Sequence, residues 1–141
     1  MDEDRRKHLE FIQAVIARMA GNSFLLKGWT ITLAAALFTL AVKDANRVFA
    51  VIALFPAVCF WGLDAYYLRQ ERLFRRLYDD VRMAGCEGRT EVEPFSLTTA
   101  DCAKAVPSWW RALGASSVIG IHGPVVIAVF AAITLLSAFD G

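Results

Sequence analysis

Apolar residues in this chain come in blocks, and the blocks differ in period. Residues 23–42 (SFLLKGWTITLAAALFTLAV), 48–67 (VFAVIALFPAVCFWGLDAYY) and 113–139 (LGASSVIGIHGPVVIAVFAAITLLSAF) are apolar around the whole helix circumference. A bilayer core about 30 Å thick takes roughly 20 helical residues, so each block is long enough to span it. Only KDANR separates the first two, which predicts an antiparallel hairpin. Elsewhere the pattern is amphipathic. In the N-terminal segment Leu9, Phe11, Ile12, Val15, Ile16 and Met19 fill one arc of a helical wheel, and His8 falls within it as a packing residue rather than a ligand. Gly21, Asn22 and Ser23 then offer a joint, with Asn22 or Ser23 as N-cap of the first span.

The second span shows no stop signal after Pro56. From Asp64 to Met83 a stripe of Tyr66 or Tyr67, Gln70, Phe74, Leu77 or Tyr78, and Val81 keeps helical spacing, while Glu71/Arg75, Arg75/Asp79 and Arg76/Asp80 form i,i+4 opposite-charge pairs. The spacing predicts that span two continues as a water-accessible helix. Its stripe fits the N-terminal helix of the same chain, or copies of itself in an oligomer. Beyond it, Gly85, Gly88, Pro94 and Pro107 punctuate a loop, with a short helix from a Thr98 or Thr99 cap to Ala105.

The fold class expected is an all-α membrane protein: three transmembrane helices, an N-terminal amphipathic helix, and a cytoplasmic extension of the second span. The divisions are residues 1–22, 23–67, 68–111 and 112–141. Composition agrees, with 57% hydrophobic residues in 141 and a mean hydropathy of +0.44. The chain opens MDEDRRKHLE, and no small-residue cleavage motif follows the first apolar block, so the block is expected to stay in the mature protein.

Charge sets direction. Thirteen of the fifteen Lys and Arg residues lie on the side of the N-terminus and residues 65–111, and two, Lys43 and Arg47, lie in the hairpin link. This count places Lys27 on the inner side, close enough to its span end to lift its ammonium to the headgroups. The positive-inside rule then puts the N-terminus in the cytoplasm of a bacterial inner membrane and the C-terminus outside. Trp29, Trp61, Trp109 and Trp110 all fall at the inner interface under this topology, as interface anchors.

Candidate chemistry is sparse. Cys59, Cys86 and Cys102 form no CxxC pair, and neither His8 nor His122 lies near them in sequence, so no metal site or cofactor is expected. No phosphate-cradling glycine motif, paired carboxylates within a span, or nucleophile–base arrangement is visible, which argues against an enzyme. Nothing suggests binding to duplex nucleic acid. Arg69, Arg72, Arg75 and Arg76 could meet anionic lipid, a phosphate-bearing ligand or a partner, although the interleaved acids favour a solvated face. The third span holds SSVIGIHGPVV: Ser116, Gly120 and Gly123 permit close helix approach, Pro124 can kink the helix, and His122 is ionisable within the apolar stretch. These five are pore or gating candidates. His122 either bonds a neighbouring helix in its neutral form or lines a watered path between subunits.

An amphipathic start, a tight two-span hairpin, the continuation LDAYYLRQERLFRRLYDDV, and PFSL then SWW before a last span together resemble the SLATT-like small bacterial membrane effectors of nucleotide-activated anti-phage defence, including the Hailong type. The third span is an addition to that family's two-span core. The resemblance implies a homo-oligomer, a tetramer for example, that opens an ion-conducting pore and depolarises the cell when a nucleotide ligand or a nucleotidyltransferase-type partner signals. The contrasting expectation is a non-conducting scaffold that recruits a cytoplasmic partner through its charged helix.

Overall fold

A computed structural model describes residues 3–44, 46–84 and 92–139. They form two long helices, α1 (Glu3–Lys43) and α2 (Arg47–Met83), a 3-10 turn (Asp101–Lys104), a short α3 (Trp109–Leu113) and α4 (Ser116–Phe139), with no strand among the described residues. α1, α2 and α4 are each long and apolar enough to cross a membrane. Gly85, Cys86, Gly88, Arg89, Asp140 and Gly141, named above for the loop, its charge and the C-terminus, lie outside the described residues.

α1 and α2 make the expected antiparallel hairpin. Asn46 caps α2, its side chain accepting a hydrogen bond from the Val48 amide at 2.9 Å. Both helices run past their apolar blocks, so at about 1.5 Å per residue their 41 and 37 residues carry the hairpin well beyond a bilayer's thickness. The expected joint at Gly21, Asn22 and Ser23 is absent, since α1 is continuous through all three. Glycine in a helix interior costs only about 1 kcal/mol. Ser23 recovers that locally, because its buried hydroxyl bonds α2 instead of capping a helix end.

One face of α2 is buried along its whole length, and its chemistry changes with position. At the hairpin end Ala50, Ala53 and Ala57 are buried, and Ala50 meets Ala41 of α1 and Ala132 of α4, where small side chains let helices approach closely. At the charged end the same face presents Leu73, Leu77 and Val81 to Leu9, Ile12 and Ile16 of α1. This favours the first of the two expected destinations for the stripe, packing within the chain. Leu73 is a core member that the predicted stripe omitted, and Phe11 of the predicted N-terminal arc faces outward.

The loop after α2 is fastened to the start of α1. Arg5 donates through Nε to the Val81 carbonyl at 2.9 Å and also to the Arg82 carbonyl, satisfying acceptors that the helix end leaves free. His8 Nε2 contacts the Ser96 carbonyl at 2.8 Å, so this buried histidine does have the packing role expected of it. The predicted short helix ending at Ala105 is reduced to the 3-10 turn, with Ala100 rather than a threonine preceding it and no side-chain cap bond.

The expected third block, residues 113–139, is one long helix from Ser116 onward, with its start three residues later than expected. α3 ends at Leu113, and α4 begins at Ser116 after Gly114. Trp61 Nε1 donates to the Leu113 carbonyl and Trp109 Nε1 to the Gly62 carbonyl, each at 3.0 Å, which fixes this elbow against α2.

Candidate functional site

The site is a polar cluster that ties together all three spanning helices. Asp64 on α2 is fully buried, as is His122 on α4, and Ser23 on α1 is buried beside them. Lys27, one helical turn after Ser23, points its ammonium at the same carboxylate, 2.8 Å from Oδ1 and 2.6 Å from Oδ2. Its Nζ also donates to Ser23 Oγ at 2.7 Å, while Ser23 donates to Asp64 Oδ1. On the other side His122 Nε2 lies 3.1 Å from Asp64 Oδ2. An isolated carboxylate in an apolar span would be expensive to bury. Here three donors from two other helices satisfy it.

The pattern of donors sets the charge states. Asp64 as carboxylate accepts from every neighbour and Lys27 as ammonium only donates, so the pair sums to zero charge. His122 then donates through Nε2, and its Nδ1 is buried and without a hydrogen-bond partner among the described residues. Trp61 lies parallel to the imidazole, with ring centroids 6.5 Å apart and planes 6° apart. The indole fills the space beside His122 and, through its bond to Leu113, fixes where α4 starts.

Lys27 departs from its predicted place at the headgroups. Its side chain is only 20% exposed and turned inward to the Asp64 carboxylate, which lies within its reach. Ser23 and Lys27 stand at the distance of a nucleophile–base dyad, which the sequence did not suggest. They are not one: the ammonium only donates, and the serine hydroxyl donates its hydrogen bond to the Asp64 carboxylate rather than to the amine.

The five pore candidates divide. His122 is in the cluster, whereas Ser116, Gly120 and Pro124 are exposed on the outer side of α4, and a Cβ on Gly120 would meet nothing within 4 Å. Gly123 is half-buried, its nearest non-backbone neighbour being Ile119 of its own helix. The four tryptophans divide likewise. Trp29 and Trp110 are exposed, whereas Trp61 and Trp109 are half-buried hydrogen-bond donors to backbone carbonyls.

Of the four arginines, Arg75 is paired to Glu71 at 2.8 Å and Arg76 to Asp80 at 3.5 Å, both arginines exposed and both acids at least partly buried. Arg72 is half-buried, and Arg69 has its Nε buried without a hydrogen-bond partner among the described residues. Two of the four are therefore engaged within their own helix. Cys102 is buried against the charged-end core, with Asp80 Oδ2 3.8 Å from its sulfur, and burial followed by the neighbouring carboxylate raises its thiol pKa. Among the described residues no group of three or more His, Cys, Asp and Glu side chains converges as a metal site.

Sequence could have found part of this cluster. Ser23 and Lys27 are one turn apart, and Asp64 is the sole acid within the second apolar block. A lone acid in one span and a lone base in the adjacent span of a hairpin are complementary. That His122 joins them depends on the α4 register, which follows from the elbow at residues 114–115 and from the packing of Ala132 on Ala41 and Ala50. Protein-family models, curated proteins and solved structures were compared with the chain, and none matches it.

Proposed function

We propose that this chain is the subunit of a homo-oligomeric, gated ion-conducting protein of a bacterial inner membrane, with its N-terminus in the cytoplasm and its C-terminus outside. The observation that carries the proposal is the fully buried Asp64, joined by Lys27 and Ser23 of α1 and His122 of α4 within a bundle whose outer faces are apolar. Ionisable groups inside a span are costly, and they recur where ions or protons move.

One copy does not provide a conduit. The hairpin end is closed by alanine-to-alanine contact, and the charged end by aliphatic packing. An aqueous path would therefore lie between subunits, where the exposed α4 face with Ser116, Gly120 and Pro124 offers close approach. Under this reading the charged end of α2, fastened to α1, receives the trigger: a nucleotide or a cytoplasmic partner, as in the SLATT-like effectors the sequence resembles. Opening collapses the ion gradient and depolarises the cell.

The scaffold reading has its own supporting observation. Phe11 and Phe95 are 57% and 45% exposed at the charged end with ring centroids 6.2 Å apart, and such an aromatic pair suits a protein contact. One experiment separates the two. Full-length protein in nanodiscs is weighed by native mass spectrometry, then reconstituted in liposomes carrying a potential-sensitive dye and exposed to candidate nucleotides. A defined oligomer with triggered depolarisation supports conduction. A monomer or dimer that leaves the potential intact under every trigger, yet retains a stoichiometric partner, supports the scaffold.

A further inference from the structure

Lys27 is held as an ion would be held. Three oxygen atoms, Asp64 Oδ1, Asp64 Oδ2 and Ser23 Oγ, surround its Nζ at 2.8, 2.6 and 2.7 Å. These are first-shell oxygen distances for an ammonium, and a dehydrated potassium ion is about the same size and takes the same hard oxygen ligands. The site has one full negative charge, one neutral hydroxyl, and a wall made by His122 with its Nε2–H turned toward the carboxylate. Nothing in it favours a divalent ion, for which a single carboxylate would leave charge uncompensated in an apolar span.

The occupant is tethered and stands at the edge of the site. Asp64 is fully buried, whereas the Lys27 side chain keeps 20% of its surface accessible. A four-carbon stem lets its ammonium swing out toward a headgroup layer without moving α1, the snorkelling that lysines near span ends perform. When it leaves, the carboxylate and the hydroxyl that donates to it remain as an anionic pair between α1 and α2.

We infer that Asp64 and Ser23 form a binding site for a dehydrated monovalent cation of potassium size, of which the Lys27 ammonium is the built-in resting occupant. Any part this site plays in gating rests on the conduction reading above: outward movement of Lys27 exchanges a tethered cation for a free one within the subunit. The site itself is a statement about binding and is tested without flux.

The test uses full-length protein in detergent, with thermal unfolding followed by circular dichroism at constant ionic strength in potassium, sodium or choline chloride. In Lys27→Met the carboxylate has lost its charge partner, and a cation that fills the site stabilises the folded state by mass action. The expected result is a melting temperature several degrees higher in potassium than in choline, with sodium between them. Wild type, its site already filled, shows no such difference, and neither does Lys27→Met combined with Asp64→Asn, which needs no cation. Thallium, titrated into Lys27→Met, competes with potassium. Equal melting of Lys27→Met in all three salts overturns the inference, as does its failure to fold in potassium chloride while the double variant folds. If potassium stabilises Lys27→Met but wild-type liposomes never depolarise, the site stands and conduction fails. If the liposomes depolarise and Lys27→Met ignores potassium, the reverse holds.

Discussion

Lys27 and Asp64 stand 37 residues apart in sequence and 2.6 Å apart in the fold, one on each arm of the hairpin. The pair fixes the register of α1 against α2 at the point where the alanine seam gives way to the aliphatic core. Removing one member costs far more than removing both, because a lone partner is left charged in an apolar setting. Lys27→Met, which leaves the fully buried Asp64 carboxylate without its cation, is expected to destabilise the fold by about 3–5 kcal/mol. Asp64→Asn combined with Lys27→Met is expected to recover most of that. Thermal unfolding of the two proteins in choline chloride, where no small alkali cation can substitute, checks the ordering.

Much of the fold was legible because apolar blocks and hinge residues are local signals. The three spans, the KDANR link and the helical continuation of α2 all follow from pattern alone. The errors have a common source in tertiary partners. Gly21, Asn22 and Ser23 have the composition of a joint, yet Ser23 is spent on Asp64 and α1 passes straight through. Lys27 has the position of a snorkelling residue, yet a buried anion faces it. Gly114 stands at the edge of the third block, and two indole donors aimed at Gly62 and Leu113 hold the elbow there, so the helix starts at Ser116 rather than Leu113. A helical wheel shows which residues share a face and is silent on which polar atom lies opposite.

The elbow depends on those indoles. Trp61→Phe keeps an aromatic ring beside His122 but loses the donor to the Leu113 carbonyl, and Trp109→Phe loses the donor to Gly62. Each substitution is expected to cost about 1 kcal/mol. The Trp61 variant alone should also loosen the start of α4, seen as faster hydrogen exchange at Val118 and Ile119, whose amides bond Ala115. Equal exchange in both variants would mean that Trp61 does no more than fill space.

At the charged end, Ile12 of α1 is completely buried against Leu73 and Leu77 of α2. Ile12→Ala or Leu73→Ala is expected to cost about 2–5 kcal/mol and to release the first half of α1 from α2 while leaving the alanine seam intact. Spin labels at Gln13 and Arg75, both on exposed positions, would report this as a broadened distance distribution in either variant. The surface pair Arg82–Asp79 gives the contrast: Asp79→Asn is expected to change stability by less than about 0.5 kcal/mol.

Cys102 supplies a pH-dependent test of the same core. Burial, then the charge and hydrogen bond of Asp80, push its thiol above the ordinary value of 9.0. In the unfolded chain the thiol loses its proton near that value, while in the folded chain it keeps the proton to higher pH. Between the two values the folded state therefore binds more protons, and stability falls as pH rises. Below 9.0 this contribution is fully present, and through the window above it is lost at up to about 1.4 kcal/mol per pH unit. Cys102→Ala removes the effect, so the melting temperatures of wild type and variant should run parallel at neutral pH and converge or cross above the thiol's ordinary value. Alkylation gives a second readout, since only the thiolate reacts. At pH about 8, Cys102 in the folded protein should react with iodoacetamide at least several-fold more slowly than in denaturant. Ile12→Ala, by opening the core around it, should bring the two rates together.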